Sequence, residues 1–228
     1  MSRSRRPPRD AEPLLALVRA VRERHVELVA LEVLDPAAAA RVTGGRAAWV
    51  LAARAHGNDD AVAGTLDALD GLCAEHGLRA ADDPDGAVWT RLDELEGSAP
   101  LVVRLADRPA SLDDTLARAR ALVGAGAAPA GTGVAFAVHA DGIVRVLFDA
   151  AAVDAADPDT LAAKLEAGRS DLGGHRGSVT LATAPAAFAA RFDPFGDPGS
   201  ARRLMRGLKR TFDPAGVLSP GRFIFDAD

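Results

Sequence analysis

The residues of this chain that could carry out nucleophilic or metal chemistry are scattered and form no set with a recognised spacing. The single cysteine, Cys73, lies on the apolar side of a predicted helix, where a free cysteine usually serves as a small buried hydrophobe. Paired aspartates stand at predicted helix starts and turns, where carboxylates complement the helix dipole. The five histidines occur singly, without the mutual spacing of zinc ligands: His25, His56, His76, His139 and His175. No catalytic residue and no metal site is therefore predicted, and an independent enzyme using Cys73 or a histidine is disfavoured because no nucleophile–base pair is apparent.

The sequence also lacks a recognised phosphate-binding loop. No G-x-G-x-x-G pattern follows a predicted strand, and no Walker loop occurs. The glycine-rich segment 124–133 leads into a strand, so it lacks the helix N-terminus that would complete an anion site. We interpret this segment as an ordinary loop.

Two arginines stand out because each interrupts an apolar strand. Arg104 and Arg145 have Val or Leu as their neighbours in the alternating pattern. A sheet with one face in solvent routinely carries polar residues on that face, which is the simplest interpretation of both. The basic residues of the last predicted helix are likewise interpreted as a solvated or interface surface: Arg202, Arg203, Arg206, Lys209 and Arg210.

Composition limits the class of protein. Apolar residues make up 48% and charged residues 26%, which is typical of a soluble globular domain. A net charge of −5, 4% aromatic residues and no tyrosine argue against nucleic-acid binding. Apolar runs are broken well before the roughly 20 residues that a membrane span needs. Arg5 and Arg6 precede no apolar stretch, which indicates a disordered basic segment over 1–10 in a cytoplasmic protein and not an export signal.

The elements that must position these residues alternate between helices and strands along the chain. The Asp141-Gly142 turn predicts a tight hairpin, which requires antiparallel neighbours. We therefore predict an α+β domain over 11–213, with an antiparallel sheet covered by helices mainly on one face. A tail over 214–228 follows. The predicted strands are 26–34, 47–55, 101–105, 133–139, 143–148 and 178–183, and the predicted helices are 11–23, 58–77, 89–95, 111–124, 157–168 and 201–212.

The end of the chain carries an ordered series of motifs. Asp213-Pro214 stops the last helix, Gly216 permits a positive φ, and Pro220-Gly221 makes a turn with little side chain on one face. Such a segment can lay its backbone against a flat partner surface. The motifs in order are Gly173-Gly174, Ala184-Pro185, Asp193-Pro194-Phe195-Gly196, Leu204-Met205-Arg206, Lys209, and Phe212 to Arg222.

This series resembles the C-terminal end of the FAD-binding subunit of glycolate oxidase and its relatives among the vanillyl-alcohol-oxidase, or PCMH-type, flavoproteins. The resemblance implies a ferredoxin-like cap domain, FAD as cofactor and a small 2-hydroxy acid as substrate. By the same resemblance Ser219, Pro220, Gly221 and Arg222 would contact the flavin domain or the cofactor, and residues from Ser219 onward would reach away from the sheet. Ser219 departs from the family's usual Asn, and a hydroxyl cannot supply both an amide donor and a carbonyl acceptor.

The resemblance also gives the strand arginines a second interpretation, because the family places substrate-binding groups on cap strands that face the flavin. Arg104 or Arg145 would then hold the substrate carboxylate. The family's flavin-binding domain has no counterpart in this sequence, so a separate FAD-binding domain or subunit is the expected partner, either as another polypeptide or as the missing part of a larger reading frame of which this chain is a fragment. The chain alone is expected to be inactive. The alternative is a non-catalytic α+β module for interaction or dimerisation.

Overall fold

Six strands pair into one open sheet in the computed structural model, which describes residues 10–45, 48–79, 81, 83, 86–124, 133–172 and 177–220. They are β1 (Ala30–Leu34), β2 (Val50–Arg54), β3 (Leu101–Ala106), β4 (Val134–His139), β5 (Ile143–Phe148) and β6 (Ser178–Thr183). The order across the sheet is β2-β1-β4-β5-β3-β6, and every neighbouring pair is antiparallel. The predicted α+β class with an antiparallel sheet is confirmed.

Nine α-helices accompany these strands in the described ranges. They are α1 (Glu12–Glu23), α2 (Pro36–Thr43), α3 (Asp59–Glu75), α4 (Ala87–Ser98), α5 (Leu112–Val123), α6 (Ala150–Ala155), α7 (Pro158–Asp171), α8 (Ala186–Ala189) and α9 (Arg202–Phe212). None of the described helices is long and apolar enough to cross a bilayer. The predictions for residues 1–9, for the loop at 125–132 and for Gly173-Gly174 concern residues outside the described ones.

The helices α2, α6 and α8 were missed by the sequence analysis. The signals for α2 were present: Asp35 caps its first turn, Pro36 occupies the first helical position, and Gly44 ends it with a φ of +65°. We interpreted Asp35-Pro36 only as the end of a strand. Asp149 caps α6 in the same way, accepting a hydrogen bond from the Ala152 amide.

Four strands and two helices follow the β-α-β-β-α-β order of the ferredoxin-like motif. The segment runs β3-α5-β4-β5-α7-β6, with the short helix α6 inserted between β5 and α7, and its strands lie in the order β4-β5-β3-β6. Strands β1 and β2 extend the sheet beyond β4. The hairpin predicted at Asp141-Gly142 joins β4 to β5.

One face of the sheet, here called the first face, is closed by α1, α3, α5 and α7. Alternate strand residues point into this core and are at most 1% exposed: Val33, Val103, Phe136, Val146 and Val179. Burying one such side chain contributes about 1.5–3 kcal/mol. This face supplies most of the domain's hydrophobic core.

The opposite or second face is divided into two halves. Helices α2 and α4 close one half over a smaller core that includes Leu34, Val102 and Leu147. The other half, here called the open end, carries half-buried residues of β3, β5 and β6: Arg104, Ala106, Ile143, Arg145, Ser178 and Thr180. The sheet is thus covered fully on one side and partly on the other.

Candidate anion-binding site

Arg104 and Arg145 lie directly opposite each other on β3 and β5, at the open end of the second face. Cβ atoms of directly opposed residues in an antiparallel pair are about 4.5–5.5 Å apart, and like charges in that position destabilise the sheet. Both side chains are half-buried. The structure therefore brings the two strand arginines predicted from the sequence into directly opposed positions, where negative charge nearby lowers the cost of the like charges.

One of these arginines obtains that charge from helix α4. The Nη1 atom of Arg145 contacts Oε2 of Glu96 in a hydrogen-bonded ion pair. The other oxygen of Glu96 lies 3.8 Å from Nε2 of His139, whose Nδ1 contacts Oε1 of Glu32. Glu32 and His139 are themselves directly opposed on β1 and β4. Glu32, His139, Glu96 and Arg145 thus form a continuous line of four ionisable side chains.

Three polar atoms of this line are buried without a hydrogen-bond partner in the described part of the chain: Oε2 of Glu32, Nε2 of His139 and Oε1 of Glu96. Glu32 is only 6% exposed. A buried polar atom without a partner costs about 1–3 kcal/mol, and native proteins leave few of them. Within this line, Glu96 is the residue that contacts Arg145 directly.

Arg104, in contrast, makes no hydrogen bond or ion pair with any residue that the structure describes. Its cross-strand neighbours are Arg145 on one side and Thr180 on the other. A guanidinium group offers a planar fork of donors that matches a carboxylate bidentately. The open end thus presents one uncompensated cation beside one that is already paired, and this combination favours a small anion.

The sequence analysis missed Glu32, His139 and Glu96 as members of this site. A signal was available for two of them. Glu32 interrupts an apolar strand in the same manner as Arg104, and His139 is a polar residue that ends another apolar strand. Glu96 could not be assigned because α4 crosses the second face only through tertiary packing. No group of three or more His, Cys, Asp or Glu in the described ranges could hold a metal ion.

The second region of interest is the C-terminal arm, defined here as residues 202–220. Helix α9 buries none of its residues, yet the chain that follows it is tightly organised. The Asp213 carboxylate accepts hydrogen bonds from the amides of Val217 at 2.9 Å and Leu218 at 3.1 Å, and from Nζ of Lys209 at 2.5 Å. Lys209 also donates to the Leu218 carbonyl. These bonds, the one from Lys209 above all, lower the pKa of Asp213 below its ordinary value.

Ser219 and Pro220 stand exposed at the end of this arm. Neither makes a hydrogen bond with the described residues of the sheet, so the structure does not join them to Arg104 and Arg145. Ser219 has a φ of +49°, the left-handed region that non-glycine residues seldom adopt. The other two residues predicted to touch the cofactor, Gly221 and Arg222, lie outside the described residues.

The upstream motif at Asp193 to Gly196 has a structural explanation. Arg169 lies 4.0 Å above the Phe192 ring and donates hydrogen bonds to the carbonyls of Val179 and Asp193. Gly196 has a φ of +79°, and a Cβ there would lie 2.8 Å from the Arg169 guanidinium. The motif therefore packs against β6 through Arg169, just before the C-terminal arm begins.

A cavity of about 660 Å³ lies elsewhere, along the sheet edge formed by β2. Both tryptophans, Trp49 and Trp89, line it, together with Cys73. Burial raises the pKa of the Cys73 thiol, which agrees with the predicted role as a buried hydrophobe. None of the predicted site residues lines this cavity, so the candidate site remains the open end of the second face.

Comparison with known proteins adds no assignment: no family model matches this chain, and no curated protein matches it.

Proposed function

We propose that this chain is the substrate-side domain of an FAD-dependent oxidoreductase acting on small 2-hydroxy acids, and that it works with a separate flavin-bearing domain or subunit. The observation that carries the proposal is the uncompensated guanidinium of Arg104 beside the paired Arg145 on an open sheet face. A 2-hydroxy acid has the carboxylate that such a site would bind. The resemblance of the C-terminal motifs to flavoprotein cap domains supports the same assignment.

The described residues do not form a site for a whole FAD molecule. The sequence has no G-x-G-x-x-G pattern after a predicted strand, the pattern that would cradle the pyrophosphate. The contribution of this chain to flavin binding would be limited to the tail, with Ser219, Pro220, Gly221 and Arg222 touching the cofactor or its carrier. The left-handed conformation of Ser219 supports this alignment, because Asn, the usual residue there in the resembled family, adopts that conformation more readily than other side chains.

In this function the residues of the chain bind and orient the substrate. The flavin, when bound in the partner, supplies the hydride acceptor. Arg104 holds the substrate carboxylate through its donor fork, and Arg145, fixed by Glu96, adds a second positive charge at a defined position. Holding the substrate in one orientation lowers the entropic part of the barrier. Loss of Arg104 should therefore raise KM and also lower kcat.

The experiment is reconstitution with a flavin protein encoded beside this chain. The two proteins are co-expressed, purified together, and exposed anaerobically to glycolate, the smallest 2-hydroxy acid. We expect the visible flavin absorbance to bleach in the complex, and to bleach much more slowly when Arg104 is replaced by Ala. The exposed Arg22→Ala variant, which removes the same charge from α1, should behave like the wild type.

The result that contradicts the proposal is equally clear. A colourless protein that binds no flavin partner, or a coloured complex that no 2-hydroxy acid bleaches, would leave the non-catalytic interaction module as the better account. The exposed apolar surface of α9 is the observation that favours that second function.

A further inference from the structure

Helix α9 carries a row of large apolar side chains that nothing in the described chain covers. Leu204, Leu208 and Phe212 recur every four residues on one side of the helix and are 67%, 49% and 76% exposed. A helix of 11 residues is marginal in water without packing, since isolated helices below about 12–15 residues rarely persist. The row, here called the α9 stripe, therefore requires a partner surface.

The charges beside the stripe define the chemistry of that partner. Helix α9 contains five cationic residues and no carboxylate, although the whole chain carries a net charge of −5. Arg203 and Arg210 are exposed and border one side of the stripe, seven residues apart. Seven residues are two helical turns, or about 10.5 Å along the axis. The partner surface should therefore be acidic, with carboxylates at a matching spacing.

Helix α3 of this same chain has those properties. It contains five carboxylates and no lysine or arginine: Asp59, Asp60, Asp67, Asp70 and Glu75. Asp60 and Asp67 are exposed and are also seven residues apart. Gly64 and Gly71 lie on the same side of the helix, and a Cβ at either would meet no atom within 4 Å. The outer side of α3 is thus an acidic surface with gaps that large apolar side chains can fill.

The two helices are not together within one copy of the chain. Helix α3 packs on α1 and lines the cavity along β2, whereas α9 follows β6 at the opposite edge of the sheet. Five strand spacings separate those edges, or about 24 Å. Because the described part of one copy leaves both surfaces uncovered, we infer that the chain self-associates, with α9 of one copy lying along α3 of a second copy.

The contact joins two different surfaces of the chain. Two copies therefore form a closed dimer when α9 of each copy packs on α3 of the other. In the contact Arg203 and Arg210 face Asp60 and Asp67, and the α9 stripe fills the space over Gly64 and Gly71. This inference concerns neither the open end of the second face nor the flavin, although it uses the α9 surface that favours the interaction module.

A charge-swap experiment tests the inference by analytical ultracentrifugation of the full chain over a concentration series at low salt, without flavin or substrate. Wild type should associate reversibly. The variants R203E/R210E and D60K/D67K should each be monomeric over the same series, and an equimolar mixture of the two should associate again. The Leu204→Ser/Leu208→Ser variant should also be monomeric. The control R22E/R54E changes the net charge by the same amount as R203E/R210E, at exposed sites on α1 and β2, and should associate like wild type.

Circular dichroism of each variant should show unchanged folding of the body. A monomeric wild type overturns the inference. So does an R22E/R54E control that weakens association as much as R203E/R210E, because the effect would then be general charge repulsion. A variant mixture that stays monomeric excludes α3 as the receiving surface. Each of these results leaves the flavin experiment unaffected, so failure of one proposal is distinguishable from failure of the other.

Discussion

The sheet and the C-terminal arm both present arginines, but they hold them in different ways. On the open end of the second face, Arg145 is fixed by Glu96 and Arg104 is left uncompensated within a half-buried surface. On α9, Arg203 and Arg210 project from an exposed helix beside a stripe of large apolar residues. The first arrangement suits one small anion at one point, and the second suits a macromolecular surface with repeated charges.

The contacts that hold the two regions in place also differ. Arg145 on β5 is held by a line of ionisable groups on three other elements, β1, β4 and α4, and Glu32 at the far end of the line is buried. The arm is organised by one local group, Asp213, which bonds to residues within five positions of itself. Changes in the body should therefore disturb the anion site and global stability together, while changes in the arm should leave the body intact.

The largest effect on stability is expected at Asp35, which supports the helical cover of the second face. Its carboxylate accepts hydrogen bonds from the amides of Ala38 in α2 and Phe136 in β4, and the residue is 2% exposed. Asp35→Ala leaves both amides without a partner and should lower the free energy of unfolding by about 2–4 kcal/mol. Urea denaturation followed by circular dichroism measures this.

Asp35→Asn is the matched control. Burial raises the pKa of Asp35, although the two amide hydrogen bonds oppose the shift. A neutral amide keeps an acceptor oxygen for both bonds and avoids burying a charge. This variant should therefore be close to wild type, and equal destabilisation by Asn and Ala would mean that the negative charge itself is needed.

A smaller loss of stability is expected for a change at Glu96, together with a gain in affinity for small carboxylates. Glu96→Gln removes the ion pair of Arg145, whose side chain is 32% exposed, and should cost about 1–2 kcal/mol after allowance for solvent screening. Because Arg145 is then uncompensated as well, affinity for a small carboxylate should rise several-fold. The exposed Glu94→Gln on the same helix should change neither quantity. Unchanged anion affinity in Glu96→Gln would show that Arg145 takes no part in anion binding.

Arg104→Lys separates the shape of the cation from its charge. An ammonium group keeps the positive charge but lacks the planar fork that binds a carboxylate bidentately. We expect glycolate affinity between those of wild type and Arg104→Ala, with stability unchanged. Isothermal titration of the three proteins with glycolate gives the comparison, and wild-type affinity in the Lys variant would show that charge alone is used.

The smallest effect is expected for the arm at acid pH. The folded-state pKa of Asp213 lies below its ordinary value of 3.8. Its stabilising bonds are therefore fully present above pH 3.8 and are lost as pH falls through the lower folded value. Hydrogen-exchange protection of the Val217 and Leu218 amides should decline only in that range. Decline nearer neutral pH would point to a different group.

The sequence analysis succeeded where local patterns dictate structure. The alternation of apolar residues on β4 and β5, with Asp141-Gly142 between them, predicted the hairpin. It failed where tertiary packing decides. Arg104 and Arg145 look alike in sequence, and only the position of α4 pairs one of them with Glu96. The cover of α2 and α4 over the second face was missed although the strand residues beneath it, such as Leu34, Val102 and Leu147, are apolar.

The most direct measurement is a titration of isotopically labelled protein with glycolate, followed by NMR. The anion-site account predicts saturable shifts confined to β3, β5 and β6 around Arg104, an affinity reduced about 10- to 100-fold in Arg104→Ala, and no change in Arg22→Ala. Shifts spread over the basic residues of α9, or equal binding by the Arg104→Ala variant, would contradict it.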